Sequence, residues 1–260
     1  MKQFRVLDPN SPERMVRKVC ALAVMTKAPQ AGRVKTRLVP PLTPEDAAEL
    51  NKCFLRDTVA AISVACSRRS AGDASQIEVA TAARGIAVYT PIGAEWAYND
   101  ILPADFSLLP QRGDKFGERL YLAVEDLFKC GFDSVCLIDS DSPTVPAENF
   151  QQAVELLSMS EDRVVLGPSD DGGYYLIGVK KPHQQLFEQI DWSTERVLNQ
   201  TIQRATEIGI EAKLLPTGYD VDDAASLRRL CKELLGGQGD DSAAPITGKF
   251  LARLVAERKL

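Results

Sequence analysis

The chain contains a single histidine, His183, and this scarcity excludes several catalytic chemistries. Zinc sites built on histidines, and iron sites that combine two histidines with a carboxylate, need more imidazoles than the sequence has. A Ser-His-Asp triad would have to use His183, which lies in the polar stretch KKPHQQ. We predict that this histidine is an exposed surface residue. The chemistry of the protein therefore has to rest on other side chains.

The cysteines and the apolar runs set further limits. None of the six cysteines forms a C-x-x-C pair, and most lie in apolar periodic segments, where a cysteine acts as a small hydrophobic residue. We predict that they are reduced and structural. No apolar run approaches the roughly 20 residues that span a bilayer, and the charged N-terminal stretch lacks the apolar region of a secretory signal. These absences predict a cytoplasmic protein without a membrane span.

The charge balance excludes a general nucleic-acid surface. The 260 residues include 31 Lys and Arg against 36 Asp and Glu, which gives a formal charge of −5. Nucleic-acid surfaces depend on a basic field, so we expect no nucleic-acid partner. An anionic small molecule would have to be bound by a local basic patch.

Short apolar runs alternate with amphipathic stretches along the chain, which is typical of an α/β domain with a mostly parallel sheet flanked by helices. Residues 19–26 form a continuous apolar run, as in a central strand that is covered on both faces. Further strands are predicted at 77–82, 86–90, 134–138 and 174–179. A helix is predicted to begin after Ser193 or Thr194, one of which would cap it. We predict one domain at 18–235, an N-terminal extension at 1–17, and a linker with a C-terminal helix at 236–260.

A basic segment, KAPQAGRVKTRL at 27–38, follows the first predicted strand directly and contains four cations and no acid. Open α/β sheets bind phosphorylated ligands at the carboxyl ends of strands, where glycine permits close approach and Lys and Arg surround the anion. The segment has neither the Walker spacing nor the dinucleotide fingerprint. It therefore predicts a phosphate contact, with a solvated basic turn as the alternative.

An acidic segment, LIDSDSP, places Asp139 and Asp141 where a predicted buried strand ends. Two carboxylates at this spacing can bind one divalent ion, and ligation by oxygen alone selects Mg²⁺ or Mn²⁺ over zinc. Such an ion would neutralise a diphosphate. Turn formation or helix capping is the alternative role for these carboxylates.

Three other segments leave their roles open. The segment GPSDDGGYYLIG suits either a substrate pocket or a plain turn, because adjacent glycines serve both. In YDVDD, Asp220, Asp222 and Asp223 precede a predicted helix, so at least one is expected to be a cap and another could complete a metal site. Trp192 could anchor the core or line a pocket, and large aromatic residues favour the core.

Taken together and in this order, KAPQAGRVKTRL, LIDSDSP, VVLGPSDDGGYYLIG, WST and YDVDD resemble the bacterial DUF2064 family of GT-A-like glycosyltransferases, some of which are assigned to arsenosugar biosynthesis. The resemblance covers about residues 19–232. It implies a Rossmann-like nucleotide-diphospho-sugar transferase fold. The chain is also similar to guanylyltransferases that activate 2-phospho-lactate, and this similarity strengthens Asp220 and Asp222 as candidates. Where the family often has Gly-Asp-Leu-Gly, this chain has GDKFG at 113–117.

The resemblance implies a site residue by residue. Nucleotide contacts are expected from Lys27, Gly32, Lys35, Thr36 and Arg37. Substrate contacts are expected from Asp171, Gly172 and Gly173, with Lys35 and Asp171 as the candidate catalytic residues, and metal contacts from Asp139, Asp141 and Asp222.

The expected function is a metal-dependent glycosyltransferase with a nucleotide-diphospho-sugar donor, a small-molecule acceptor, and Mg²⁺ or Mn²⁺ as cofactor. The alternative is a nucleotidyltransferase that uses an NTP and a phosphorylated acceptor and releases pyrophosphate, with Lys35 stabilising the α-phosphate transition state. A third possibility is a nucleotide-binding protein without turnover.

Overall fold

The structure is a computed structural model that describes residues 4–11, 18–67, 82–236 and 243–260. Its centre is an eight-stranded sheet with the order β1-β4-β3-β2-β5-β7-β6-β8. The strands are β1 (Arg5–Val6), β2 (Val19–Lys27), β3 (Ala82–Thr90), β4 (Ser107–Pro110), β5 (Ser134–Ile138), β6 (Arg163–Pro168), β7 (Tyr174–Val179) and β8 (Glu211–Leu214). Only the two pairings made by β7 are antiparallel among the described strands. The predicted α/β class with a mostly parallel sheet is confirmed.

Helices cover both faces of the sheet. They are α1 (Pro44–Ser67), α2 (Phe116–Lys129), α3 (Ala147–Ser158), α4 (Val197–Glu207), α5 (Ala224–Leu235) and α6 (Pro245–Ala256). Apolar residues of α1 and α3 form one core layer with the sheet, and those of α2 and α4 form the other. This double cover explains why β2 and β5 are apolar along almost their whole length.

The direction in which the sheet grows changes at β2. The chain places β3 and β4 on one side of β2, then crosses to place β5 on the other side. In open α/β sheets, ligands bind outside the carboxyl ends of the strands at such a switch point. The basic segment follows β2 here and the acidic segment follows β5, so the fold brings the two predicted site segments to one edge of the sheet.

Two local predictions need correction or completion. The helix expected to be capped by Ser193 or Thr194 begins at Val197, with Arg196 at its N-cap. Ser193 has a positive φ of 64°, and the Thr194 hydroxyl donates to the Asp191 carbonyl at 2.7 Å, so these residues close a turn before the helix. Positions 77–81 of the strand predicted at 77–82 lie outside the described residues. The strand predicted at 86–90 lies within β3.

The single histidine and the cysteines lie within the supporting structure. His183 is not simply exposed: its side chain is 22% accessible, and Nε2 lies 2.9 Å from an Asp162 carboxylate oxygen. All six cysteines are free thiols, and four are buried. Within the described ranges, no helix combines the length and the apolar character that crossing a bilayer requires.

A described segment near each end of the chain packs onto the central sheet and its helices. Strand β1 pairs in parallel with β4, so part of the predicted N-terminal extension joins the sheet. The predicted C-terminal helix is α6, and it packs against α1 and α5 through Phe250, Leu251 and Leu254. The Asp57 carboxylate of α1 accepts from the Ile246 and Thr247 amides at 3.1 and 2.8 Å, which caps the start of α6.

Candidate functional site

Backbone hydrogen bonds join the loops at the carboxyl edge of the sheet. The Asp139 amide donates to the Tyr175 carbonyl at 2.9 Å, and the Val221 amide donates to the Asp141 carbonyl at 2.9 Å. The Asp170 amide donates to the Gly218 carbonyl at 3.1 Å. These bonds bring the loop after β5, the turn between β6 and β7, and the segment before α5 into one cluster.

The cluster surrounds two adjacent cavities, which share Arg37, Ser140, Asp141 and Asp222 as a common wall. The larger, which we call the acidic cavity, has a volume of about 500 Å³. Its lining includes six carboxylates: Asp139, Asp141, Asp171, Glu195, Asp220 and Asp222. The smaller, which we call the basic cavity, has a volume of about 220 Å³ and is lined by Lys27, Arg33, Lys35, Thr36 and Arg37. Two pockets of opposite charge thus meet at the switch point of the sheet.

Lys35 lines the basic cavity and forms ion pairs with two carboxylates of the shared wall, which come from two loops. Its Nζ is 2.8 Å from Asp141 Oδ1 and 2.9 Å from Asp222 Oδ1, and it donates to the Val221 carbonyl at 2.8 Å. Only 4% of the side chain is exposed. Burial alone would lower the pKa of Lys35, but the charges of Asp141 and Asp222 outweigh burial and raise it. The ammonium is therefore held charged.

The other polar and charged residues predicted to contact the nucleotide are open to solvent. Lys27 and Thr36 are exposed, and the Arg37 side chain is 72% exposed, with Nη1 at 3.8 Å from Asp222 Oδ2. Gly32 has a φ of 71°, and nothing lies within 4 Å of the position that a Cβ would take. Of the five predicted nucleotide contacts, all of which lie in the described residues, Gly32 alone does not line the basic cavity. The remaining predicted contacts share one small cavity with Lys35.

The carboxylates of the acidic cavity perturb one another. Burial, followed by the neighbouring charge of Asp141, raises the pKa of Asp139 well above its ordinary value. Burial, followed by the charges of Asp171 and Asp222, raises the pKa of Asp220 to about 6. A site with this much unbalanced negative charge favours binding of a cation or of a ligand that neutralises it.

The turn at 170–173 is tied to the segment at 191–196. Gly172 has a φ of 90°, and a Cβ at this position would lie 2.2 Å from the Glu195 carbonyl oxygen. The Leu198 amide donates to the Gly172 carbonyl at 2.9 Å, and the Gly173 amide donates to Asp171 Oδ1 at 2.8 Å. Glycine is therefore required at 172 both for backbone conformation and for this close approach. The contact places Asp171 and Glu195 together on the acidic cavity.

An aromatic wall faces the carboxylates of the acidic cavity. Phe116 and Trp192 meet edge to face with centroids 5.1 Å apart, and Tyr174 meets Trp192 in the same manner at 6.5 Å. Gly117 allows this packing, since a Cβ there would lie 2.5 Å from Trp192 Nε1. Trp192 was expected in the core. It packs against the core layer of α2 and α4 and also lines the cavity, so both roles apply.

The carboxylates predicted to bind a metal ion are engaged with protein groups. Asp139 Oδ2 accepts from the Ser142 hydroxyl at 2.8 Å, and Asp141 and Asp222 pair with Lys35. In the described part of the chain, no group of three or more His, Cys, Asp or Glu side chains is arranged to hold a metal ion. The all-oxygen donor set suits Mg²⁺ or Mn²⁺ chemically, but this arrangement does not fit the ion. The metal assignment stays a prediction.

Three residues of the site have little local signal in the sequence. Asn51 of α1 is buried and lines the basic cavity. Its signal is a polar residue inside the apolar face of an amphipathic helix. Phe116, which is 55% exposed, and Glu195 line the acidic cavity without a distinguishing pattern around them.

Comparisons with known proteins identify a related family and a related fold. Residues 74–194, a little under half of the chain, match the family described as "Uncharacterized protein conserved in bacteria (DUF2064)", which confirms the resemblance over that segment. A provisionally assigned nucleotide-diphospho-sugar transferase from Desulfovibrio desulfuricans G20 shares 26% identity over 93% of this chain and 96% of its own, with a TM-score of 0.75. The chain has the fold of that protein.

More distant structures resemble the chain with low identity. The inositol-1-phosphate CTP transferase from T. maritima shares 13% identity over 92% of this chain and 98% of its own, with a TM-score of 0.49. Glucosyl-3-phosphoglycerate synthase from Mycobacterium tuberculosis, solved with Mn²⁺ and UDP, shares 12% over 87% of this chain and 82% of its own, with a TM-score of 0.47. No curated protein matches the sequence.

Proposed function

We propose that this protein is a glycosyltransferase that binds a nucleotide-diphospho-sugar across the wall between the basic and the acidic cavity. The observation that carries the proposal is the meeting of these two oppositely charged cavities at the switch point of the sheet. The similarity to the Desulfovibrio protein, a provisionally assigned nucleotide-diphospho-sugar transferase, supports the same substrate class.

The basic cavity suits the diphosphate of the donor. Lys27, Thr36 and Arg37 offer exposed donors around a space of about 220 Å³, and Lys35 lies in its wall. Cations and hydroxyls that surround a small cavity can bind phosphate oxygens from several directions. Gly32 gives the loop next to these groups its left-handed backbone, with a φ of 71°.

The proposed ligands of Mg²⁺ or Mn²⁺ are Asp141 and Asp222 in the shared wall, together with Asp139 in the lining of the acidic cavity. Such an ion would supply positive charge to a bound diphosphate. To bind through the Oδ1 atoms of Asp141 and Asp222, it would have to replace their ion pairs with Lys35.

The acidic cavity is the proposed place of the sugar and the acceptor. Asp171 and the backbone of Gly172 and Gly173 form one side, and Asp171 is the exposed carboxylate that we propose as the base toward an acceptor hydroxyl. The aromatic wall offers the apolar faces on which sugar rings pack. Arg37 is the one Lys or Arg among the described residues of this lining.

The charge of the acidic cavity supports glycosyl transfer over nucleotidyl transfer. A nucleotidyltransferase would have to hold a phosphorylated acceptor, and six carboxylates with one arginine oppose a second anion. An uncharged acceptor avoids this repulsion. Glycosyl transfer to a neutral small molecule is therefore favoured over nucleotidyl transfer.

The test is a turnover assay with Mn²⁺ on two panels of substrates. One panel contains nucleotide sugars, and the other contains NTPs together with phosphorylated acceptors. We expect release of a nucleoside diphosphate from at least one nucleotide sugar, and no pyrophosphate from NTPs with phosphorylated acceptors. Asp139→Asn should lower the rate at least 100-fold, whereas Asp170→Asn, the same change at a carboxylate outside both linings, should stay within a few-fold. Pyrophosphate release without diphosphate release would establish the alternative, and inactivity on both panels would contradict the proposal.

A further inference from the structure

We propose that Lys35 is a built-in cation that competes with a divalent metal ion for Asp141 and Asp222. The inference rests on the proposed function of this wall as a metal and phosphate site. It explains a disagreement between sequence and structure: the residues that suggest metal binding are present, but the described conformation has an ammonium group between two of them.

The contacts of Lys35 define a position built for a cation. Three oxygens surround Nζ at 2.8 to 2.9 Å, from Asp141, Asp222 and the Val221 carbonyl. The ring of Phe54 lies below the ammonium at 5.4 Å, and the side chain is almost fully buried. These partners use all three donors of a lysine. Lys35 also adopts a φ of 47°, which is uncommon for a residue with a Cβ, and the ion pairs offset that cost.

The two carboxylates need a cation between them. The hydrogen bond from the Val221 amide to the Asp141 carbonyl, at 2.9 Å, fixes the segments that carry Asp141 and Asp222 side by side. Like charges held this close repel unless a positive charge lies between them. In the described conformation, Lys35 supplies that charge.

A divalent ion and the ammonium cannot use the same carboxylate oxygens together. Lys35 contacts Oδ1 of both residues. Mg²⁺ and Mn²⁺ bind carboxylate oxygens at about 2.1 Å, closer than an ammonium nitrogen, and the two cations repel each other at such a separation. A metal ion that binds through these Oδ1 atoms therefore requires that Lys35 leave the pair.

The basic cavity is where a displaced Lys35 would go. Lys35 already lines this cavity together with Lys27, Thr36 and Arg37. A phosphate bound there would hold the released ammonium, and the released ammonium would add a contact to the phosphate. Metal and phosphate binding should thus strengthen each other, and the metal alone should bind weakly.

Mn²⁺ binding to the full chain without nucleotide, measured by electron paramagnetic resonance, tests the competition. Lys35→Met removes the ammonium but keeps a long apolar side chain, and we expect its Kd for Mn²⁺ to be at least tenfold lower than that of the wild type. Lys52→Met removes the same charge from α1, where Lys52 pairs with Glu49, and should leave the Kd within about threefold. A Kd of Lys35→Met no lower than that of the wild type would overturn the proposal.

A measurement on the wild-type chain guards against a variant that fails to fold. Acetylation of single lysines, followed by mass spectrometry, should show a faster reaction at Lys35 when Mg²⁺ is added, with Lys52 as the internal reference. An unchanged Lys35 rate would also overturn the competition. Failure of the nucleotide-sugar assay together with a tighter Mn²⁺ complex in Lys35→Met would instead contradict the proposed function and leave the competition intact.

Discussion

At the level of single residues, the acidic cavity contains more carboxylates than there are cations to pair with them. Lys35 pairs with both Asp141 and Asp222, whereas Asp220 forms no ion pair with the described residues and accepts a hydrogen bond from the Ser169 hydroxyl at 3.4 Å. Burial and its acidic neighbours raise the pKa of Asp220 to about 6. Its ionisation therefore opposes folding near neutral pH.

This shift predicts a pH-dependent effect of Asp220→Asn on stability. The folded protein binds the Asp220 proton more tightly than the unfolded chain does, so this residue makes stability fall as pH rises from about 4 to about 6. Asn cannot ionise. In metal-free buffer at pH 7, we expect Asp220→Asn to raise the free energy of unfolding by about 1–2 kcal/mol, after allowance for solvent screening.

Urea unfolding at a series of pH values from 4 to 7 measures the effect. Asp100→Asn, which neutralises an exposed carboxylate outside the acidic cavity, serves as the control. The difference between Asp220→Asn and the wild type should grow with pH and level off above the pKa of Asp220. A difference that does not depend on pH would contradict the account.

At the level of elements, the turn between β6 and β7 packs closely against the segment before α4, and Gly172 makes this close contact possible. Gly172→Ala would bring a Cβ to within 2.2 Å of the Glu195 carbonyl oxygen, and the neighbouring contacts are also backbone atoms that cannot rotate away. We expect a loss of about 3 kcal/mol in the free energy of unfolding, from left-handed strain plus displacement of the segment.

Gly209→Ala is the matched control for this change. Gly209 has a φ of 73° but nothing within 4 Å of the position that a Cβ would take, so it isolates the backbone strain. We expect Gly209→Ala to cost about 1 kcal/mol in the same urea experiment. Equal losses in the two variants would mean that the contact with the Glu195 backbone contributes nothing.

Local signals in the sequence account for the elements that were predicted correctly. The Thr43 hydroxyl accepts from the Asp46 amide at 3.0 Å at the start of α1, and Asp223 caps α5 as the acidic run before it suggested. The end of the continuous apolar run at Ile138 correctly predicts that β5 ends there and that Asp139 and Asp141 lie in the loop that follows. Each feature depends on a few neighbouring residues, so the sequence pattern is enough to place it.

The features that were missed depend on contacts between distant parts of the chain. Lys35 lies 187 positions before Asp222, and no local pattern reveals that its ammonium is buried in an ion pair. Ser193 and Thr194 are good capping residues in general, but the packing of Gly172 against Glu195 moves the start of α4 to Val197. Tertiary contacts override the local preference in both cases.

At the scale of the whole molecule, the net charge of −5 hides a separation of charge. Six carboxylates line the acidic cavity, and the cations of the basic segment line its neighbour. The sheet topology produces this arrangement, because β2 and β5 are neighbours and the segments that follow them begin at the same switch point. A negatively charged protein can therefore bind an anionic ligand through a local basic pocket.

Titration calorimetry of the full chain with nucleoside diphosphates in the presence of Mn²⁺ measures whether the protein binds the nucleotide part of the proposed donor. We expect at least one of UDP, GDP, CDP and ADP to bind with a Kd between about 1 µM and 1 mM, the range typical of enzyme substrates. Arg37→Met should weaken that binding, because Arg37 lies in the wall shared by both cavities. Absence of binding by all four nucleotides would contradict the account.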